Sequence, residues 1–143
     1  MKVKRLKVGH AGTLDPLATG VMVICTGRAT KRIDQLQAGV KEYIATLSLG
    51  ATTPSFDLET EVDATYPIDH ITRQLAEETL QKFVGSIEQI PPAFSAVKID
   101  GQRAYKMARK GQTPELKAKT LVIDEIELLD FAPDRLTLRI VCS

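Results

Sequence analysis

The chain has 143 residues, of which 43% are hydrophobic and 26% charged, and its formal net charge at pH 7 is +1. Such a composition is typical of one globular domain that is long enough to bury a core. No stretch approaches the roughly 18 apolar residues that a membrane span needs, and no apolar region follows the basic N-terminus as it would in a signal peptide. We therefore expect a cytoplasmic protein without membrane contact.

The charges are unevenly distributed along the chain. Residues 1–33 contain seven Lys or Arg and one acid, and residues 98–119 contain seven Lys or Arg and two acids. Residues 57–88 contain eight acids and two basic residues. Two basic segments and one acidic segment could steer a polyanion onto one face, although clustered charges can also be no more than solvated faces.

The first half of the chain predicts two strands and a helix. The apolar run "VMVIC" at 21–25 lies between glycines and predicts a buried strand. Residues 29–39 have helical spacing and stop at Gly39. In 41–50 every second residue is apolar or aromatic, which predicts a half-buried strand.

The second half begins with a long loop at 51–69. The clearest helix follows at 69–85, capped by Asp69 or Thr72 and ended by Gly85. A strand "SAVKI" (95–99), an Asp-Gly turn and a short basic helix "QRAYKMARK" (102–110) come next. Apolar runs at 120–131 and 135–142 predict an antiparallel hairpin. The fold class is therefore α/β of the α+β kind, a mixed and mainly antiparallel sheet with flanking helices.

The two cysteines, Cys25 and Cys142, lie in apolar strand-like runs. They form no CxxC motif, and no histidine stands at ligand spacing from them. Buried free thiols are the favoured interpretation, and we expect neither a metal nor an organic cofactor.

The segment "VGHAGTLDPLATGV" (8–21) combines three glycines, a histidine, two threonines and an Asp-Pro step before an apolar strand. One interpretation is structural, because Asp15 could cap a single helical turn that Pro16 opens. The other is functional, because a carboxylate on a glycine-flanked loop stays reachable and could act as a nucleophile or a general base. His10 could contact a base or a phosphate, or be an ordinary turn histidine.

Three motifs in order resemble those of the TruB-type tRNA pseudouridine synthases of bacteria. They are "GHAGTLDPLATGVMVICTGRATK", "KEYIATLSLGATTPSFDLETE" and "PPAFSAVKIDGQRAYKMARKG". Together they extend the resemblance over most of the chain. Taken singly, Tyr43, Lys98 and Tyr105 would be ordinary strand or helix residues, so the inference depends on the joint pattern.

The resemblance implies an isomerase (an intramolecular transferase) that converts uridine 55 in the T-loop of tRNA to pseudouridine. Asp15 would be the catalytic aspartate, and Tyr43 would stack on the flipped-out base and take part in proton transfer. Substrate and RNA contacts would come from seven further residues: His10, Gly12, Thr13, Asp57, Lys98, Tyr105 and Arg109. The partner would be the T-arm of tRNA, bound by a protein that is monomeric at full length.

The resemblance also implies that residues 1–143 form part of a pseudouridine synthase catalytic domain. In the family, a strand and a helix precede the first motif. A "KGTYIR"-like motif with an arginine partner for the aspartate, and an RNA-binding C-terminal domain, come after the third. We therefore expect the 143 residues alone to be weakly active or inactive. A module that binds or folds tRNA without catalysis is the alternative function.

Overall fold

A computed structural model describes residues 6–90, 98–99, 102–103, 110 and 117–143. The chain divides into two compact units, Met1–Gly39 and Val40–Ser143. Within the described ranges, the structure contains no helix with the length and apolar character of a membrane span.

The first unit is a small hairpin followed by a short helical segment. Strand β1 (Val8–His10) pairs antiparallel with β2 (Ile24–Thr26), and the 3-10 helix Gly27–Arg32 leads into α1 (Ile33–Gln37). The prediction of a helix ending at Gly39 is confirmed in its second half, where the Gly39 amide donates to the Leu36 carbonyl oxygen at 3.2 Å. The first half is a tighter 3-10 helix, a common form at helix ends.

The predicted buried strand at 21–25 is largely wrong. Only Ile24 and Cys25 of this run lie in β2, only Cys25 is buried, and Val21 is 92% exposed. Gly12, with φ +113°, turns the chain away where β1 ends, so residues 21 and 22 have no ladder partner in this unit.

The second unit is built on a four-stranded antiparallel sheet. Its strands are β3 (Lys41–Ser48), β6 (Gly85–Gln89), β9 (Lys119–Ala132) and β10 (Arg135–Cys142). Their order across the sheet is β3-β10-β9-β6. The predicted hairpin is confirmed as β9 and β10, and the mixed, mainly antiparallel fold class is confirmed with it. Strand β6 was not expected from the sequence, because "GSIEQ" has no sustained apolar alternation.

The core of this unit lies between one sheet face and helix α2 (Arg73–Gln81). Ala76, Leu136 and Leu138 are buried, and five half-buried residues pack against them: Leu49, Leu80, Leu128, Phe131 and Ile140. The predicted alternation of β3 is confirmed in register, since Ala45 and Leu47 pair with Leu138 and Leu136. Because β3 is an edge strand, its face is less covered than expected, and Leu47 stays 40% exposed.

Helix α2 begins at the Thr72 cap, where the Thr72 hydroxyl oxygen accepts from the Leu75 amide at 3.1 Å. Of the two predicted caps, Thr72 is the one used. The helix ends at Gln81 rather than at Gly85, which instead opens β6 with φ +110°.

The predicted loop at 51–69 contains a short ladder. Strands β4 (Ala51–Thr52) and β5 (Ala64–Thr65) pair antiparallel, and the Thr52 hydroxyl donates to the Asp63 carboxylate at 2.6 Å. This ladder ties the two ends of the loop together.

Strands β7 (Lys98–Ile99) and β8 (Gln102–Arg103) form a two-residue ladder, with Lys98 opposite Arg103. The predicted strand "SAVKI" is described only at its last two residues. The predicted basic helix is wrong at its start, since Gln102 and Arg103 are in β8, and its residues 104–109 lie outside the described residues.

Candidate active site

The first candidate site is the loop 11–23, which connects β1 to β2. The Gly9–Cys25 pair aligns the strands, and the Ala11 amide donates to the Val23 carbonyl oxygen at 2.9 Å. Gly12 and Gly20 have φ values of +113° and +138°, conformations that residues with a Cβ rarely adopt. Two glycines therefore fix where the loop leaves the hairpin and where it returns.

Asp15 lies in this loop and is exposed. Its carbonyl oxygen accepts from the Ala18 amide at 2.9 Å, which closes a turn with Pro16 in the second position. This is a turn rather than a capped helical turn, and the carboxylate makes no hydrogen bond or ion pair with any residue in the described ranges. The structure therefore does not support the structural alternative for Asp15, and its carboxylate is accessible to a ligand.

His10 is oriented by the same loop. Its Nδ1 donates a hydrogen bond to the carbonyl oxygen of Gly12. A carbonyl oxygen only accepts, so Nδ1 is the donor in this contact. Thr13 is exposed and Gly12 half-buried between His10 and Asp15. Gly12, Thr13 and Asp15 thus lie in the loop, and His10 lies at the end of β1 that leads into it.

A basic surface follows β2. The 3-10 helix has Lys31 and Arg32 in its last turn, and the Thr30 hydroxyl donates to the Gly27 carbonyl oxygen at 2.8 Å at its start. The Gly27 amide donates to the Lys7 carbonyl oxygen at 2.8 Å. These contacts place exposed cations in the same unit as Asp15: Lys7, Arg28, Lys31 and Arg32.

Tyr43, the second predicted catalytic residue, belongs to the second unit. It lies on β3 opposite Ile140 of β10 and is 49% exposed. Alternation along β3 puts Tyr43 on the same sheet face as Ala45, at the less covered edge. An aromatic ring in that position is anchored by the sheet and still accessible from outside.

Asp57 has a local structural role. Its Oδ1 accepts from the Glu59 amide at 2.9 Å, and its carbonyl oxygen accepts from the Thr53 hydroxyl at 2.7 Å. Asp57 therefore orders the segment 53–60, which we call the 53–60 loop. Of the remaining predicted residues, Lys98 is described as part of β7, whereas Tyr105 and Arg109 lie outside the described residues.

Sequence reasoning missed Arg139, which lies on the sheet face opposite Tyr43. Its guanidinium donates to the carboxylates of Glu125 at 2.7 Å and Glu42 at 2.8 Å, and Glu127 lies 3.8 Å away. The hydrogen bonds to Glu125 and then to Glu42 raise the pKa of Arg139 above its ordinary value. Alternating charges along β9 and β10 were visible in the sequence, but only the strand register shows that they meet.

In the described part of the chain, no three His, Cys, Asp or Glu side chains are grouped so that they could hold a metal ion. Cys25 and Cys142 are both free thiols, as the sequence predicts; Cys25 is buried and Cys142 half-buried.

Comparison with solved structures identifies the class of fold. The chain resembles a chain of a Cbf5-Nop10-Gar1 complex with a TM-score of 0.62 and 25% identity, over 95% of this chain and 31% of that one. It resembles a chain of an H/ACA RNP bound to a substrate RNA containing 2'-deoxyuridine with a TM-score of 0.58 and 20% identity, over 95% and 29% of the two chains. The chain thus shares its mixed, mainly antiparallel fold with both of these proteins.

The sequence identifies the family. The family model described as TruB family pseudouridylate synthase (N terminal domain) matches residues 1–143, and the chain belongs to this family. It is 71% identical over 141 residues to the tRNA pseudouridine synthase B of Phocaeicola vulgatus, covering 99% of this chain and 60% of that protein. For the Flavobacterium johnsoniae protein of that name the identity is 51% over 140 residues, covering 98% and 61%. The chain spans about 60% of the length of these relatives.

Proposed function

We propose that the protein, at full length, is a tRNA pseudouridine synthase that isomerises uridine 55 in the T-loop, with Asp15 as the catalytic aspartate. The observation that supports this most strongly is Asp15, which is exposed on a loop fixed by Gly12 and Gly20 and whose carboxylate has no polar partner among the described residues. The family membership of residues 1–143 supports it independently.

In the proposed reaction the bond from N1 of uracil to C1′ of the ribose breaks, and a bond from C5 to C1′ forms. The hydrogen on C5 is lost and N1 gains a proton, so that the product is an isomer of the substrate. Asp15 acts by forming an adduct with the uridine or by removing a proton. No metal or organic cofactor takes part in this scheme.

Tyr43 stacks on the base that flips out of the RNA. Tyr43 also takes part in proton transfer at C5 of that base. Its half-exposed ring on the edge strand β3 suits this role, because a stacked base needs a fixed aromatic face. His10 lies near the position that the flipped-out base vacates, and the contact of its Nδ1 with Gly12 orients the ring. Asp57 holds the 53–60 loop in its conformation.

We further propose that tRNA binds through its T-arm and that exposed cations hold its phosphates. Lys7, Arg28, Lys31 and Arg32 are the described cations of the first unit that fit this role. Lys98, Tyr105 and Arg109 would add contacts from the third motif. The full-length protein is a cytoplasmic monomer in this proposal, and residues 1–143 form part of its catalytic domain.

The test is Asp15→Asn in the protein expressed from its complete reading frame. Release of tritium from C5 of uridine in an unmodified tRNA transcript measures the reaction. We expect the rate to fall by at least roughly 10²- to 10⁴-fold, because the carboxylate is replaced by a group that neither attacks nor takes a proton. The Kd for tRNA stays close to the wild-type value.

Asp34→Asn is the matched control, since Asp34 is also exposed and lies in α1 of the same unit. It leaves the rate unchanged. A wild-type rate in Asp15→Asn refutes the role of Asp15. Wild-type protein that binds tRNA and forms no pseudouridine refutes the enzymatic proposal and favours a non-catalytic module. We expect the 143-residue polypeptide on its own to be weakly active or inactive in the same assay.

A further inference from the structure

The 53–60 loop presents a phenylalanine to solvent. The Phe56 side chain is 76% exposed. Phe56 also has φ +61°, and within the described ranges it is the single residue other than glycine with a positive φ. A bulky residue in this left-handed region is strained, and an exposed ring gains little from burial. Neither the backbone nor the core therefore accounts for phenylalanine at this position.

Hydrogen bonds within the 53–60 loop fix its conformation. Ser55 is 6% exposed, and its hydroxyl lies 2.7 Å from that of Thr60. The Phe56 amide donates to the Thr53 carbonyl oxygen at 3.1 Å, across a turn that has Pro54 in its preferred second position. Together with the Asp57 contacts, these bonds fix the Phe56 backbone before any partner arrives. Such a preorganised contact loses little conformational entropy on binding.

We propose that Phe56 binds an unpaired nucleobase of the RNA substrate by stacking. This inference rests on the proposed function. The loop carries Asp57 and Glu59, and Glu61 directly follows it, so the phosphate backbone is repelled there, whereas a nucleobase is uncharged and offers a π face. The phenyl ring has no hydrogen-bonding atom and no transferable proton. It therefore adds binding energy that depends weakly on the identity of the base, and it takes no part in the chemical step.

The variant that tests this is Phe56→Asn in the full-length protein. Asparagine tolerates the left-handed backbone and has no aromatic face, so the fold is retained while stacking is lost. The probe is an unmodified tRNA transcript, used to measure the Kd and the single-turnover rate at saturating enzyme. We expect the Kd to rise by roughly 5- to 150-fold, the range that follows from measured base–aromatic stacking. We expect the rate at saturation and the thermal unfolding midpoint to be no lower than in wild type.

Two further variants separate stacking from other roles. Phe56→Tyr keeps the ring and retains wild-type affinity. Leu58→Asn removes an equally apolar side chain, 77% exposed in the same loop, and leaves the Kd unchanged because leucine has no π face.

The contrary outcomes distinguish an error in the stacking role of Phe56 from an error in the proposed function. If wild-type protein binds tRNA and Phe56→Asn binds it equally well, or if Leu58→Asn weakens binding as much, the stacking role is wrong and the proposed function stands. A change in oligomeric state at unaltered tRNA affinity assigns Phe56 to a protein contact and overturns the inference. Wild-type protein that fails to bind tRNA overturns the proposed function and this inference together.

Discussion

Asp15 and Arg139 are two charged side chains with opposite surroundings. The Asp15 carboxylate has no polar partner among the described residues, whereas Arg139 donates to carboxylates on both neighbouring strands. An unpaired charge on a loop contributes nothing evident to folding and is accessible to a ligand. The paired Arg139 guanidinium instead joins β3, β10 and β9 on the face opposite Tyr43.

Arg139→Met tests this structural role. Removing the guanidinium leaves Glu42, Glu125 and Glu127 close together without a cation, so we expect a lower urea midpoint at unchanged m-value. Added salt should reduce the loss, because it screens repulsion among the carboxylates. Arg135→Met, at the start of the same strand, is the control. Arg135 is exposed and has no ion pair with any described residue, so its replacement should leave the midpoint near wild type. Equal losses in both variants would show that the carboxylate contacts do not stabilise the sheet.

The direction of the pKa shift of Arg139 determines how its contribution to stability depends on pH. The pKa of Arg139 is raised in the folded state above its ordinary value. A raised pKa on a basic group adds stability that is fully present below the unfolded-state value and is lost only as pH rises through the folded-state value. Deprotonation of Arg139 therefore causes no pH dependence of stability at neutral pH.

At the residue scale the sequence predicted the chemistry of the candidate site better than its contacts. The glycines around Asp15 correctly indicated a constrained, exposed loop. The contact between His10 and the Gly12 carbonyl, and the exposed ring of Phe56, depend on backbone angles that a residue pattern does not specify.

Helix α2 shows how local signals define an element. The candidate capping residues and the apolar spacing predicted this helix, but the sequence did not decide whether Asp69 or Thr72 is the cap. Thr72 is used because its extended backbone, with φ −108° and ψ +161°, points the hydroxyl at the Leu75 amide.

Thr72→Ala measures the cap. The Leu75 amide loses its partner, so we expect the free energy of unfolding to fall by about 1 kcal/mol. Thr79→Ala is the control, because Thr79 is exposed in the interior of the same helix, where alanine is preferred by up to about 0.7 kcal/mol. Urea denaturation should therefore shift the two midpoints in opposite directions. Shifts of the same sign and size would show that the hydroxyl does not act as a cap.

Elements with strong local patterns were predictable, and elements made by pairing were not. The hairpin of β9 and β10 follows from two long apolar runs and a two-residue connection. Strands β4, β5 and β6 are short and only weakly patterned, and they exist because a partner strand satisfies their backbone. For the same reason the strongly apolar run at 21–25 is mostly not a strand, since β1 is too short to pair with it.

On the scale of the whole molecule the first unit is basic, whereas the second unit contains both the acidic segment 57–88 and the basic segment 98–119. The described basic residues Lys7, Arg28, Lys31 and Arg32 belong to the first unit, and the acidic segment 57–88 belongs to the second. A polyanion would be attracted by the basic segments and repelled by the acidic one. Association with tRNA in the proposed function should therefore depend on salt, and the cations of the first unit should contribute part of that dependence.

The triple variant Arg28→Gln, Lys31→Gln, Arg32→Gln tests this dependence in the full-length protein. Each lost phosphate contact reduces the number of released counterions, so we expect the slope of log K for tRNA against log salt to become shallower by about 2 to 3. Arg73→Gln is the control. Arg73 is engaged with Glu77 at 2.9 Å within the acidic segment, and its loss should leave the slope unchanged. An unaltered slope in the triple variant would exclude these cations as phosphate contacts.

The sequence by itself determined the family, the antiparallel α+β class and the loop that holds Asp15. These follow from residue types at fixed spacing, which hydrophobic periodicity, turn chemistry and motif comparison detect directly. The tertiary structure decided which cap α2 uses, which strands pair, where Arg139 finds its carboxylates and how Phe56 is turned to solvent. Each of these features depends on contacts between groups far apart in the chain or on backbone angles set by packing and pairing. A local residue pattern encodes neither such contacts nor such angles.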